Sequence, residues 1–285
     1  MSAQARLAAA TRHLADAGVP DAARDARVLL AHAMGVPRDR LTLLLADPVD
    51  PAIWPAFDAL VARRAAREPV SKIIGTRLFY GRPFAVTRDV LDPRPETEIL
   101  IEAALQTNPR RILDLGTGSG CILLTLLAEI PSATGVGTDI SAEACAVARR
   151  NAAAHGLEAR ATFVTTNWTD GLTGPFDMIV ANPPYIATDE MAGLSPEVRN
   201  WDPHQALTDN ADGMTAYYSI INRVTTDLLA DGGRLLLEIG PSQGRRVAAA
   251  LTSAMFDDVA IITDLDRRDR VVTGIWPGWR MSGHR

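Results

Sequence analysis

Cysteine is almost missing from this chain, and the few residues that could bind metal are not spaced to do so. The two cysteines among 285 residues, Cys121 and Cys145, fall inside helical patterns with no ligand spacing and no disulfide framework. Both are expected to be reduced core residues of a cytoplasmic protein. Five scattered histidines form no His-x-x-x-His pair, so no metal site is indicated. No apolar run approaches the length of a membrane span. Met1 to Ala17 mixes Arg, His and Asp with alanine and lacks the apolar centre of a signal peptide. Basic charge is also in short supply. A formal net charge of −5 argues against tight, non-specific binding to nucleic acid. The local clusters Arg63, Arg64, Arg67 and Arg267, Arg268, Arg270 read as solvated faces. What remains is an ordinary globular composition, 47% hydrophobic and 22% charged. The length suffices for one large domain plus a small one.

The first segment is rich in Ala and Leu at helical spacing, with Leu14, Leu29, Leu41, Phe57 and Val61 marking apolar faces. Breaks at Gly18-Val19-Pro20, Gly35-Val36-Pro37 and Asp47 to Pro51 divide it into about four short helices. Residues 1–69 are therefore expected to form a small helical domain. Residues 70–92 look β-like, from Lys72-Ile73-Ile74-Gly75 through Phe79 to Val86, with Gly81 to Pro83 as the turn of a linking hairpin. From Arg110 onward apolar strands alternate with helical patterns, so residues 93–285 predict an α/β domain with a doubly wound sheet.

Asn182-Pro183-Pro184-Tyr185 ends the apolar run Phe176 to Ala181. The prolines lack an N–H and stop the strand ladder, and each disfavours helical backbone in the residue before it. Asn182 is thus expected to be extended at the C-terminal edge of the sheet, where open α/β sheets place their ligands. Its side-chain oxygen and the Pro183 carbonyl can together accept both hydrogens of a planar –NH2 group. Tyr185 can then lie flat against the group that bears this nitrogen. These parts suit methylation of an amide or of an amino group conjugated to a ring.

A glycine-rich turn, Asp114-Leu115-Gly116-Thr117-Gly118-Ser119-Gly120, follows the first strand of the domain and opens a helix. Its glycines allow a tight turn and close approach of backbone to ligand. One residue, not two, separates Gly118 from Gly120, which departs from the dinucleotide fingerprint. That form suits a cofactor with an adenosine but no pyrophosphate. Asp139 ends the next strand, where its carboxylate can accept from both ribose hydroxyls, with Ser141 as the competing helix cap. Trp168 follows the third strand and is expected beside the adenine. Together these features imply S-adenosylmethionine.

On these residues the chain resembles the HemK/PrmC family, the peptide chain release factor N5-glutamine methyltransferases. Pro93-Arg94-Pro95-Glu96-Thr97-Glu98, Asp114 to Gly120, Asp139, Trp168 and Asn182 to Tyr185 carry the likeness, with Trp201 to Leu207 and Arg268 to Val272. The proline-flanked Arg94 loop is the narrowest of these motifs. The resemblance implies a class I, Rossmann-like methyltransferase sheet with a small N-terminal substrate-recognition domain and a linking β-hairpin. It implies transfer from S-adenosylmethionine to the glutamine amide in the Gly-Gly-Gln loop of class I release factors, which modulates translation termination. Gly116, Thr117, Gly118, Ser119, Gly120, Asp139, Trp168 and Asn182 would bind the cofactor. Asn182, Pro183, Pro184 and Tyr185 would bind the glutamine, with Asn182 and Pro183 catalytic. Departures from the family pattern fall at Asp92, at Trp201-Asp202-Pro203 and across Asp209 to Gly213.

Amide nitrogen is a poor nucleophile, and hydrogen bonds to its –NH2 favour the pyramidal, positively charged transition state over the planar ground state. No side-chain general base is expected, because the methylated amide becomes strongly acidic as the new bond forms. A glutamine methyltransferase for a ribosomal protein would share all the core motifs. A DNA adenine-N6 methyltransferase would need a basic target-recognition region, which the acidic balance and helical first segment do not provide. A non-catalytic cofactor-binding protein would have no use for two complete motif sets. A monomer acting in the cytoplasm, without direct nucleic-acid binding, is the expected form.

Overall fold

The computed structural model describes residues Ser2–Gly278, which divide into two compact units. The first comprises the chain up to Thr76 together with Ser195–Trp201, and the second Arg77–Leu194 with the chain from Asp202 onward.

Among the described residues the first unit is built from α1 (Ala3–Asp16), α2 (Ala22–Ala33), α3 (Leu41–Leu44), α4 (Trp54–Ala65) and α5 (Val70–Ile74), together with a further helix in the segment Ser195–Trp201. Ser2 caps α1, its Oγ accepting from the Ala5 N–H at 3.2 Å. Leu14, Leu29, Leu30, Leu41 and Phe57 are nearly inaccessible to solvent and form a shared core. Helix α5 replaces part of the expected β-like segment. Pro69 precedes its first turn, Ile73 enters the helical core, and Gly75 ends it in a left-handed conformation at φ +74°. Paired isoleucines suit either state over so short a run, and packing decides for the helix.

The arginines expected on solvated faces here are instead held in ion pairs. Arg64, 5% exposed, donates to Asp25 at 2.7 Å and to Glu197 at 3.0 Å. Arg67 grips both oxygens of Glu197 at 2.7 Å each, and the Lys72 ammonium donates to the Trp201 carbonyl. These contacts account for Ser195–Trp201 grouping with the helical unit, although the sequence pattern assigns that segment to the α/β domain. The expected boundary at residue 69 therefore moves to Thr76, and this unit becomes discontinuous in sequence.

Opening the second unit, β1 (Thr76–Phe79) and β2 (Arg82–Ala85) form a two-stranded hairpin. Its turn is Tyr80-Gly81, both at positive φ as a tight two-residue connection requires, so Pro83 lies in the strand and not in the turn. After α6 (Glu98–Ala104) come β3 (Arg111–Leu115), α7 (Cys121–Glu129), β4 (Thr134–Asp139), α8 (Ala142–Ala154), β5 (Ala161–Thr165) and β6 (Phe176–Ala181). The chain continues through α9 (Pro196–Trp201), α10 (His204–Leu207), α11 (Thr215–Asp227), β7 (Leu229–Glu238), α12 (Gly244–Ser253), β8 (Asp257–Thr263) and β9 (Asp269–Ile275).

Seven of these strands form one sheet in the order β5-β4-β3-β6-β7-β9-β8. The strands from β3 to β7 pair in parallel, and β9 runs antiparallel to both β7 and β8. Strand β3 is flanked by β4 on one side and β6 on the other, so chain order reverses there. Side chains of its centre alternate between two cores: Ile112, Met178, Val180 and Leu236 face one, Leu113, Ile179, Ala181 and Leu237 the other. Burial on both faces explains why these strands read as continuous apolar runs. Cys121 and Cys145 are buried and free, as expected. Among the described residues no helix is long and apolar enough to cross a membrane.

Candidate functional site

The turn after β3 and the turn after β6 open side by side at the reversal of strand order, where a crevice forms in a doubly wound sheet. A cavity of about 390 Å³ lies there. Gly116, Thr117, Gly118, Ser119, Asp139, Trp168, Asn182 and Pro184 all line it. Of the expected site residues, Gly120, Pro183 and Tyr185 do not.

Local chemistry fixes the glycine turn. Asp114 is fully buried and accepts from the Thr117 hydroxyl at 2.6 Å, while the Thr117 N–H reaches the Thr138 carbonyl at 2.8 Å. Burial pushes the Asp114 carboxyl up to about 7, against the Thr117 hydrogen bond that pulls it down. Gly118 has φ +54°, and a Cβ added to it would touch nothing within 4 Å, so that backbone faces open space. Gly120 has a different role. At φ +79° it starts α7, and an added Cβ would lie 3.1 Å from Leu124 and 3.2 Å from Ala148.

Asp139 closes the turn from the neighbouring strand. Its two oxygens accept from the Gly118 N–H at 2.9 Å and the Ser141 N–H at 3.0 Å. Burial raises its pKa, and these backbone hydrogen bonds oppose the rise. The cap of α8 is Ser141, whose Oγ accepts from the Ala144 N–H at 3.0 Å. Asp139 is therefore not needed as the helix cap. Trp168, at φ +54°, is pinned through its carbonyl by the Thr138 hydroxyl at 2.9 Å, and its ring approaches Gly116. These walls fit an adenosyl cofactor without a pyrophosphate: bare backbone at Gly118, a carboxylate with lone pairs for vicinal hydroxyls, and an indole.

On the other wall, Asn182 follows the last residue of β6 and donates its Nδ2 to the Thr97 hydroxyl at 3.4 Å. Asn182 itself lines the cavity. Behind it, the Tyr185 carbonyl accepts from Gln243 Nε2 at 2.9 Å, and the same nitrogen donates to the Gly213 carbonyl at 3.0 Å. Gln243 Oε1 accepts from the Gly240 N–H at 3.0 Å and from the Tyr217 hydroxyl at 3.3 Å. Gly213, at φ +73°, allows this packing, since an added Cβ would sit 2.2 Å from the Tyr185 oxygen. Burial drives the Tyr185 phenol up to about 12, so it stays protonated.

The three departures from the family pattern all find partners. Asp202, buried, accepts from Arg94 at 2.7 Å and from the Asp92 N–H at 3.3 Å, which secures the Arg94 loop at the cavity edge. Asp92 lies 3.7 Å from Arg77. Asp209 accepts from the N–H groups of Ala211, Gly213 and Thr215 at 2.9, 3.0 and 2.8 Å, stapling the loop before α11. Gln243 and Glu238 were not singled out in the sequence, and Thr97 was named there only as part of the Arg94 loop, with no role of its own. Glu238 did carry a signal, as a lone acid closing the run Leu235-Leu236-Leu237.

Residues 6–75 match the family described as PrmC N-terminal domain, and residues 84–194 the family described as Methyltransferase small domain. A protein of Cereibacter sphaeroides called release factor glutamine methyltransferase is 53% identical, covering 97% of this chain and 99% of its own length. A protein of the same description from Rhodospirillum rubrum is 47% identical, covering 89% and 79%. Among solved structures, a methyltransferase from Pyrococcus furiosus is similar in fold, with a TM-score of 0.53, 14% identity, and coverage of 79% of this chain and all of that one.

Proposed function

We propose, since this chain belongs to the release factor glutamine methyltransferase family, that it methylates the side-chain amide of the glutamine in the Gly-Gly-Gln loop of class I release factors. The methyl donor is S-adenosylmethionine. One observation carries the reading: Asn182, its Nδ2 engaged by Thr97, lines the same cavity as the glycine turn and Asp139.

When bound, S-adenosylmethionine supplies a methyl group already activated by its sulfonium. Gly116 to Ser119 would hold it by backbone, Asp139 would accept from the ribose hydroxyls, and Trp168 would flank the adenine. Gly120 would contribute by starting α7 at the angle the turn needs. Asn182 Oδ1 and the Pro183 carbonyl would accept the two amide hydrogens of the glutamine, fixing its nitrogen in line with the methyl group. Positioning of this kind is worth on the order of 7–11 kcal/mol in favourable systems. Pro184 would wall the substrate side, and Tyr185, packed behind the turn, would hold the Asn182 loop rigid. We place the reaction in the cytoplasm, with a monomeric enzyme that does not bind nucleic acid directly.

The test is methyl transfer from labelled S-adenosylmethionine to purified release factor, ribosomal protein and DNA. Label is expected on the Gly-Gly-Gln glutamine, and it should vanish with Asn182→Ala or when that glutamine is replaced. Label on the ribosomal protein or the DNA instead would transfer the site chemistry to that substrate.

A further inference from the structure

Glu238 has no place in the chemistry just described, yet it sits directly behind it. Strands β6 and β7 pair Ala181 with Leu237, so Asn182 and Glu238 are the next residues of each strand. By alternation both point to the face where Val180 and Leu236 pack. Glu238 is 1% exposed and does not line the cavity. Hydrogen bonding from the Thr97 and Asn182 side chains opposes the rise of its pKa, and its Oε2, buried, has no hydrogen-bond partner of its own among the described residues. Thr97 in turn accepts from Asn182 Nδ2.

We infer that Glu238 is a positioning residue for methyl transfer, acting through Thr97 to keep the oxygen of Asn182 turned toward the substrate amide. The inference rests on the functional reading given above. An isolated asparagine amide flips at little cost, and only one of its two orientations presents an acceptor. A buried carboxylate accepts only, so the Thr97 hydroxyl must donate to it and receive from Asn182. The direction of the chain is thereby set from Asn182 through Thr97 to Glu238. Protonation of Glu238 would let the carboxyl donate to Thr97 and Thr97 donate to Asn182. The amide would then turn its NH2 to the cavity and face the substrate NH2 with a donor. A fixed negative charge behind Asn182 also favours the positive charge that builds on the substrate nitrogen.

Several groups surround Glu238. Glu96 disfavours its charge and Arg270, itself paired to Asp264 at 2.9 Å, favours it; Tyr185, Tyr217 and Cys121 are neutral neighbours whose pKa values Glu238 raises. Burial dominates and lifts the Glu238 carboxyl to about 7. The methylation rate should therefore rise with pH through neutrality although no base touches the substrate.

The experiment compares wild type with Glu238→Gln, Thr97→Val and Thr97→Ser in methyl transfer to release factor between pH 6 and 8.5. Cofactor affinity and thermal unfolding are measured in parallel. Glu238→Gln and Thr97→Val should each lower kcat about 10- to 100-fold, the worth of a hydrogen bond to a charged group. Cofactor affinity should stay within about twofold. The rise through neutral pH should disappear in Glu238→Gln, and Thr97→Ser should recover most of the rate. If Glu238→Gln keeps the wild-type kcat and pH profile, the inference is overturned while the functional reading stands. If wild type labels no release factor, that reading fails and the inference falls with it.

Discussion

At the scale of single residues, the site depends on polar groups buried where apolar ones would be cheaper. Gln243 uses both ends of its amide to join Tyr185, Gly213, Gly240 and Tyr217. Truncating it would leave several buried donors and acceptors unmatched. Gln243→Ala is expected to destabilise the sheet unit by about 2–4 kcal/mol, seen as a lower thermal midpoint, and to slow transfer. An unchanged midpoint would show that water fills the gap at no cost. Asp114 and Glu238, both near 7, make a second prediction. Each folded-state pKa lies above its unfolded value, so the folded protein holds more protons across the interval between them. Their stabilising contribution is full below the unfolded carboxylate range and is lost as pH rises toward 7. Glu197, held low by Arg67 and Arg64 against the opposing effect of burial, acts with the opposite sign and weakens the fold only on stronger acidification. Thermal midpoints should therefore peak near the unfolded carboxylate range, at roughly pH 4, and decline toward pH 7, with a shallower decline in Glu238→Gln. A midpoint that climbs steadily to pH 8 would contradict the burial argument.

Elements show which features a sequence can disclose. Strands β3 and β6 were legible because both faces of the sheet are covered, leaving Met178, Ile179 and Val180 no exposed side to alternate with. The turns at their ends were legible too, since glycine and proline mark positions where backbone geometry is restricted. Helix α5 was not, because five residues carry too little periodicity to separate helix from strand and the burial of Ile73 settles the matter. The expected hairpin turn began one residue late and ended two residues late, since Tyr80 takes a positive φ that its residue type disfavours. Its N–H donates to Glu98 at 2.8 Å, a contact that sequence does not announce. The Asp139 reading turns on helix capping. With Ser141 already capping α8, Asp139→Ala should leave the helix intact by circular dichroism. It should weaken binding of S-adenosylhomocysteine by about 10- to 100-fold in calorimetric titration, through the lost charged hydrogen bonds. A melted α8 with unchanged affinity would reverse the assignment.

For the whole molecule, the informative feature is a segment whose packing and sequence position disagree. Ser195–Trp201 lies between the Asn182 turn and α11, yet it belongs to the helical unit, and ion pairs account for this. No pattern of hydrophobicity could have revealed it, because Glu197 looks like any exposed acid until Arg64 and Arg67 are seen to hold it. Asp202 follows immediately and secures Arg94 at the edge of the cavity. Glu197→Ala would leave Arg64, only 5% exposed, with Asp25 as its remaining carboxylate partner among the described residues. Breaking a buried pair costs about 3–5 kcal/mol, and the partial exposure of Glu197 reduces this to about 1–3. Amide hydrogens of residues 195–201 should then exchange faster, while those of β3 and β6 keep wild-type protection. Cofactor affinity should be unchanged, because the glycine turn and Asp139 belong to the other unit. Unchanged exchange in residues 195–201 would mean that Glu197 does not anchor this segment to the helical unit.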